Sequence, residues 1–68
     1  MMKTFFLNGQ KYCSNDNLTL LELLGYFNYD LDIFILEHNK IIQKKQNWNK
    51  IKIENNDIIE IITVVGGG

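Results

Sequence analysis

The sequence predicts an α+β fold in which one helix covers one face of a mixed sheet of four to five strands. Three observations lead to this prediction: an Asn-Gly pair between two strand-like runs near the start, one segment with helical periodicity, and a long β-branched run near the end. With 68 residues the chain forms at most one domain, spanning residues 1–68, close to the lower size limit for unaided folding.

A hairpin is predicted first. The runs Lys3–Leu7 and Gln10–Ser14 have the composition of strands and flank the pair Asn8-Gly9. Both residues of this pair accept the positive φ of a type I′ turn, which joins antiparallel strands through two residues. The first two strands should therefore lie side by side.

A helix is predicted from Thr19, because Thr19 and Glu22 have the spacing of a capping box. The apolar positions that follow the helical repeat are Leu20, Leu23, Leu24 and Phe27. These positions form one buried face, and the pattern predicts the end of the helix at Asn28 or Tyr29. Gly25 inside the helix costs about 1 kcal/mol relative to alanine, which is tolerable if packing over a sheet needs the space.

The remaining strands follow from runs of apolar residues. Ile33–Glu37 has strand length, and a turn at His38–Lys40 leads into a short strand within "NKIIQ". Trp48 stands alone in a polar stretch, which is typical of a residue that plugs the edge of a core. A turn at Asn55–Asp57 precedes the long strand Ile58–Val65, whose branched apolar residues predict a central place beside the first strand. This order of elements is a β-grasp arrangement.

The composition excludes several classes of protein. A hydrophobic fraction of 46% with a net charge of -1 is typical of a globular domain. A single cysteine and a single histidine allow no intrachain disulfide and no credible metal site, so we expect a reducing compartment and no metal. No apolar run approaches the roughly 20 residues that cross a bilayer, so we expect no membrane association. The abundance of Ile, Asn and Lys is typical of an AT-rich genome, which indicates the cytoplasm or, for an organelle-encoded chain, the plastid stroma.

Three conventional kinds of site are disfavoured. The candidates for an acid/base group are Asp30, Asp32, Glu37 and His38, but solvated turns around a strand explain them better. Cys13 has no neighbour in sequence that would activate its thiol, so packing or surface exposure is the expected role. The lysines between Lys40 and Lys52 form a basic stretch, but the pI of about 5.6 favours a solvated face or a protein docking patch over nucleic-acid binding.

The last three residues, Gly66 to Gly68, are the most informative feature. Extended, they span at most about 10 to 11 Å, and without Cβ atoms they can enter a slot too narrow for other residues. A frayed terminus or a cloning remnant is the alternative. Because the glycines follow directly on a strand predicted to be central, we expect them to be anchored and used for delivery.

A terminal carboxylate is ionised near neutral pH and is a poor electrophile, so attack on it requires prior activation. Transfer to an adenylyl group removes the charge and supplies a leaving group. The sequence lacks a G-x-x-x-x-G-K phosphate loop, so another protein must bind the ATP. These considerations predict a substrate or carrier with no bound cofactor, rather than an enzyme.

The sequence resembles the ThiS family, the sulfur carrier proteins of thiamin biosynthesis. The resemblance covers the whole chain: the strand into "LNG", the "LTLLELL" helix, the isolated Trp48, and the ending "NDIIEIITVVGGG", which is similar to the family's G-D-x-[IV]-E-I-[IV]-x-x-V-G-G-G. The family often has Asn-Gly where this chain has His38-Asn39-Lys40, and Gly-Asp where it has Asn56-Asp57. These departures affect turns rather than the tail.

The resemblance implies a cycle in which an E1-like enzyme adenylates the carboxylate of Gly68. A cysteine desulfurase relay then supplies the sulfur of a thiocarboxylate, and thiazole synthase takes that sulfur for the thiazole ring. Gly67 and Gly68 match the family's terminal pair. The small subunit of molybdopterin synthase and ubiquitin-like modifiers share this fold and activation, and both remain alternatives. We expect the free protein to be a monomer.

A partner that receives the tail must also contact the strand at its base. We therefore expect an apolar docking surface on the sheet face away from the helix, with Phe6, Ile62 and Val64 as candidates beside Gly66 and Gly67. The alternation along the last strand is ambiguous, and a shift of one residue would exchange its two faces.

Overall fold

The computed structural model describes residues 2–27 and 34–63. The strands are β1 (Lys3–Leu7), β2 (Gln10–Ser14), β3 (Phe34–His38), β4 (Ile41–Gln43) and β5 (Ile58–Thr63), with helix α1 (Leu20–Tyr26) and a short 3-10 helix (Lys45–Asn47). They form a five-stranded sheet in the order β2-β1-β5-β3-β4. β1 and β5 are parallel and the other neighbouring strands are antiparallel. The predicted mixed sheet with one helix and a central last strand is confirmed.

The first hairpin has the predicted turn and strand bounds. Asn8 and Gly9 have φ angles of 51° and 82°, as a type I′ turn requires. Leu7 pairs with Gln10 across the end of the hairpin. A local signal of two residues therefore fixes the register of β1 against β2.

The helix begins with the predicted capping box. The Thr19 hydroxyl accepts from the Glu22 amide at 3.1 Å, and the Glu22 carboxylate accepts from the Thr19 amide at 3.0 Å. The helix ends at Tyr26, earlier than predicted, and the expected stop at 28–29 lies outside the described residues. Among the residues that the structure describes, none lies within 4 Å of a Cβ placed on Gly25, so close packing against them does not explain this glycine.

The core lies between α1 and one face of the sheet. Its buried members are Phe5, Leu7, Leu20, Leu23, Leu24, Leu36, Trp48, Ile53 and Ile59. Trp48 is 2% exposed, and its indole nitrogen donates to the Gln43 carbonyl at 2.9 Å, so it belongs to the core as well as closing it. Phe27, predicted on the buried helix face, is 39% exposed and packs edge-on against Tyr12 at the rim.

The second hairpin differs from the prediction by one residue. β3 ends at His38 rather than Glu37, and the turn consists of Asn39 and Lys40, with φ angles of 53° and 69°. His38 and Ile41 form the closing pair. Lys40 therefore occupies a left-handed position that glycine usually takes in such a turn.

Asparagine side chains from both hairpin turns extend the hydrogen bonding of β5. The Asn8 side-chain oxygen accepts from the Ile61 amide at 2.8 Å, and the Asn39 side-chain oxygen accepts from the Ile58 amide at 2.9 Å. β5 is described to Thr63, and the last two residues of the predicted strand lie outside the described part. β5 is thus hydrogen-bonded on both sides even where the backbones of its neighbouring strands turn away from it.

A buried carboxylate fixes the start of β5. Asp57 is 6% exposed and accepts from the Glu54 amide at 2.8 Å and from the Asn39 side-chain amide at 3.0 Å. The Asp57 Oδ2 atom, which accepts from the Glu54 amide, also lies 2.8 Å from the His38 Nε2 atom. Burial by itself would raise the pKa of Asp57, but these hydrogen bonds and the His38 charge more than offset it, and the pKa lies below its ordinary value.

We predict that Lys40→Gly stabilises the protein by about 1 kcal/mol, because an L-residue in the left-handed region costs roughly 1–2 kcal/mol, partly offset by the greater freedom of glycine in the unfolded chain. Urea denaturation measures the change. Lys44→Gly removes the same charge at an extended residue and should not stabilise. Equal effects of the two substitutions would contradict the turn assignment.

We predict that Asn8→Gly keeps the positive-φ turn but leaves the Ile61 amide without its acceptor, at a cost of about 1 kcal/mol. Hydrogen exchange followed by NMR should show faster exchange of the Ile61 amide. Asn8→Asp retains an oxygen at the same position and should keep the protection. Unchanged exchange in Asn8→Gly would show that this hydrogen bond does not hold β5.

We predict that Asp57→Asn lowers the free energy of unfolding at pH 7 by about 1.5–3 kcal/mol, because an amide cannot accept all the hydrogen bonds made to the carboxylate. Since the folded pKa lies below the unfolded value near 3.8, the stabilisation is present above that value and is lost as the pH falls through the folded pKa. Denaturation at a series of pH values should show this acid-dependent loss in the parent and not in Asp57→Asn. Asp16→Asn, at an exposed carboxylate, is the control.

Candidate functional site

Within the described residues, the sheet face opposite α1 carries no helix, and we call it the open face. Strand alternation places on it the residues next to the buried ones. Its members are Thr4, Phe6, Lys11, Cys13, Ile35, Glu37, Ile42, Ile58, Glu60 and Ile62. The alternate residues of the same strands, such as Leu7, Leu36 and Ile59, are buried in the core.

Exposed isoleucines dominate the open face. The exposed fractions of Ile35, Ile58 and Ile62 are 38%, 43% and 43%, and that of Ile42 is 63%. Ile35 pairs with Ile62 across β3 and β5, and Phe6, which is half-buried, pairs with Ile58 across β1 and β5. Neighbouring exposed apolar side chains of this kind are typical of a protein-binding surface.

Two glutamates lie between these apolar pairs. Glu37 on β3 and Glu60 on β5 are direct cross-strand partners, and neither side-chain carboxylate makes a hydrogen bond or ion pair within residues 2–27 and 34–63. The sequence pattern did not indicate this juxtaposition, because it depends on the register between two strands that are far apart in the chain. The two carboxylates therefore place negative charge in the middle of a group of exposed apolar side chains.

The structure locates two of the residues predicted to bind a partner. Phe6 and Ile62 lie on the open face, as the prediction requires, and Ile62 is 43% exposed. Val64, Gly66, Gly67 and Gly68 lie outside the described residues. The binding role of all these residues stays a prediction.

The strand that leads toward the tail is paired on both sides to near its described end. On the β3 side the ladder extends to Thr63, which pairs with Phe34. On the β1 side the Asn8 side chain reaches the Ile61 amide. A partner on the open face would therefore contact a strand whose position is fixed by the sheet.

Of the residues weighed for acid/base chemistry, the two that the structure describes, Glu37 and His38, do not share one site. His38 pairs with Asp57 on the helix side of the sheet, whereas Glu37 lies on the open face. Asp30 and Asp32 lie outside the described residues. Cys13 is exposed, and its sulfur lies 3.6 Å from the Thr4 hydroxyl. The buried role of Asp57 was not predicted, since only tertiary contacts reveal it.

Two properties of the described residues bear on other functions. In the described ranges 2–27 and 34–63, no group of three or more His, Cys, Asp or Glu side chains is placed to hold a metal ion. Among the helices of those ranges, none has the length and apolar character to span a membrane.

Comparison with known proteins gives a consistent result. The model of the ThiS family matches residues 5–68. The sulfur carrier protein ThiS of Bacillus subtilis is 35% identical over 63 residues, covering 91% of this chain and 96% of that protein. An uncharacterized protein, ycf40, of Trieres chinensis is 52% identical over 66 residues, covering 97% of this chain and 90% of that protein.

The fold is also found in a solved structure. The thiamine biosynthesis protein ThiS of Geobacter metallireducens superposes with a TM-score of 0.80 at 19% identity, covering 96% of this chain and 99% of that one. The ThiS family consists of small sulfur carriers that interact with sulfur-transfer enzymes. Because the family model spans nearly the whole sequence and a characterised member aligns over most of its length, this chain belongs to the ThiS family of sulfur carriers.

Proposed function

We propose that this chain carries sulfur for thiamin biosynthesis, and that the carboxylate of Gly68 is its reactive group. The observation that supports this most directly is the family match, which extends through the glycines to Gly68. The fold supports it as well, because β5, the central strand, leads toward those glycines and is paired on both sides.

The chemistry requires two displacements. The Gly68 carboxylate oxygen attacks the α-phosphorus of ATP, pyrophosphate leaves, and a mixed anhydride with AMP forms. A hydrosulfide ion then attacks the carbonyl carbon, AMP leaves, and a thiocarboxylate remains; a persulfide would instead form an acyl disulfide, which a thiol reduces to the thiocarboxylate with release of a disulfide. The thiocarboxylate sulfur forms a bond to the precursor of the thiazole ring, and water cleaves the resulting thioester, so that the precursor keeps the sulfur and Gly68 regains its carboxylate.

Separate proteins perform these steps in our proposal. The sequence has no G-x-x-x-x-G-K loop for ATP, so an E1-like enzyme binds the nucleotide and adenylates the carrier. A cysteine desulfurase relay supplies the sulfur, and thiazole synthase accepts it. The chain itself acts as a substrate of these enzymes and binds no cofactor of its own.

The choice of pathway rests on the relatives. The Bacillus subtilis relative is named a sulfur carrier protein ThiS, which favours thiamin over the molybdopterin alternative. The ycf40 relatives come from plastid genomes, and we place this chain in the plastid stroma on that ground. Co-purification distinguishes the alternatives. The partner found would be thiazole synthase for a thiamin carrier, the large molybdopterin synthase subunit for a molybdopterin carrier, or conjugated proteins for a ubiquitin-like modifier.

We predict that adding one alanine after Gly68 abolishes sulfur loading. The extra residue moves the reactive carbon by about 3.3 to 3.6 Å and puts a Cβ into a slot shaped for glycine. Deleting Gly68 should have the same effect, because the carboxylate then falls short. Intact mass after incubation with the adenylating enzyme, ATP and a sulfur source measures loading as the gain from replacing one oxygen by sulfur.

Cys13→Ser is the matched control, since an exposed thiol on β2 plays no part in this chemistry. Circular dichroism should show the same fold in all four proteins. Normal loading of the alanine-extended chain, or loss of loading in Cys13→Ser, would contradict the proposed role of Gly68.

A further inference from the structure

We propose that the open face docks on a partner protein that inserts an arginine guanidinium between the carboxylates of Glu37 and Glu60. The inference rests on the proposed function in one respect: the partner is the adenylating enzyme that receives Gly68. The cross-strand pairing of Glu37 with Glu60 does not depend on which protein the partner is.

The first argument is that the glutamate pair does not serve the fold. Glu37 and Glu60 are directly opposite in the antiparallel ladder of β3 and β5, where side chains stand roughly 4.5–5.5 Å apart at Cβ. Like charges at such positions destabilise a sheet. Lys11 is also on the open face, but it forms no ion pair with either glutamate. Near the centre of the sheet there is thus a like-charge pair that no ion pair within residues 2–27 and 34–63 compensates.

The second argument concerns the surround of the pair. Along the same two strands, Ile35 and Ile62 form the next open-face pair on one side of the glutamates. Ile58 lies on the other side along β5, and Ile42 lies beside Glu37 on β4. A partner that covers these exposed isoleucines also removes water from both carboxylates.

Desolvation then determines the chemistry of the partner. A carboxylate that loses water without gaining a cation costs several kcal/mol, and two adjacent carboxylates cost more. A guanidinium has donors along two edges of a rigid plane, so one group can bind two carboxylates at once, which a lysine ammonium does less well. The charge on the open face therefore points to an apolar partner surface with an arginine at its centre.

A second copy of the chain fits poorly as the occupant. Two open faces brought together about a two-fold axis through their centres would place Glu37 and Glu60 of one copy against the same residues of the other. That arrangement doubles the repulsion and supplies no cation at the centre. The charge pattern thus favours a heterologous partner.

The first test uses adenylation kinetics with the host's E1-like enzyme. The double variant Glu37→Gln/Glu60→Gln should raise KM by about 30-fold, the factor that corresponds to about 2 kcal/mol for a desolvated charge pair, with kcat unchanged. Its melting temperature should equal or exceed that of the parent, because the repulsion is gone. Asp16→Asn/Glu54→Gln removes two exposed carboxylates elsewhere and should leave KM unchanged.

A KM for the double variant equal to that of the charge-matched control would overturn the docking proposal while leaving the carrier function intact. Absence of adenylation in the parent protein would instead overturn the proposed function. The two failures are therefore distinguishable.

The second test needs no enzyme. In an NMR titration with ethylguanidinium, the side-chain carboxyl carbons of Glu37 and Glu60 should shift together, and more than that of Glu54. Tetramethylammonium, which cannot donate hydrogen bonds, should not reproduce the difference. Equal shifts at all three glutamates would overturn the proposal, as would sedimentation showing a dimer that Glu60→Gln strengthens.

Discussion

The structure depends on the central position of β5, a strand that must have its backbone groups satisfied on both sides. On the β3 side an antiparallel ladder does this from His38 to Phe34. On the β1 side the parallel pairing is short, with Phe6 opposite Ile58 and Leu7 opposite Ile59, because β1 then turns into the first hairpin. Asn8 compensates by donating its amide N–H to Ile59 and accepting from Ile61 through its side chain. Asn8 thus pairs with β5 as a further residue of β1 would. The geometry of the first hairpin and the stability of the central strand therefore depend on the same residue.

The entry to β5 is held by a different kind of interaction. The Asp57 carboxylate joins the preceding turn, through the Glu54 amide, to the β3–β4 hairpin, through Asn39 and His38. Its burial is unfavourable by itself, and the hydrogen bonds more than offset this, so that the pKa of Asp57 lies below its ordinary value. These contacts give the His38–Asp57 pair a structural role, because the Asp57 carboxylate joins the turn before β5 to the β3–β4 hairpin.

The sequence predicts the features that short stretches determine. The Asn8-Gly9 turn, the capping box of Thr19 and Glu22, and the bounds of β1 and β2 follow from local chemistry, and the structure has them all. Lys40 could not be predicted in a left-handed turn position, because tertiary pairing of β3 with β4 imposes it against local preference. The faces of β5 were ambiguous, since isoleucine occupies positions of both parities; the register with β3 resolves this, with Ile59 buried and Ile58 and Ile62 exposed. The pairing of Glu37 with Glu60 on the open face depends on the same register, so it could not be predicted from the sequence either.

The two faces of the sheet have separate physical roles, and β5 connects them. The helix-covered face supplies the core, with Leu36 and Ile59 fully buried, whereas the isoleucines of the open face remain exposed. Exposed apolar side chains beside opposed like charges are typical of a surface that binds another protein. Because β5 contributes Ile58, Glu60 and Ile62 to the open face and is paired on both sides, a partner bound there contacts a rigid strand rather than a loop. A partner that binds the open face therefore also holds the end of β5 at Thr63 in a fixed position and direction. A carrier of this kind can present its end to an enzyme without any movement within the sheet.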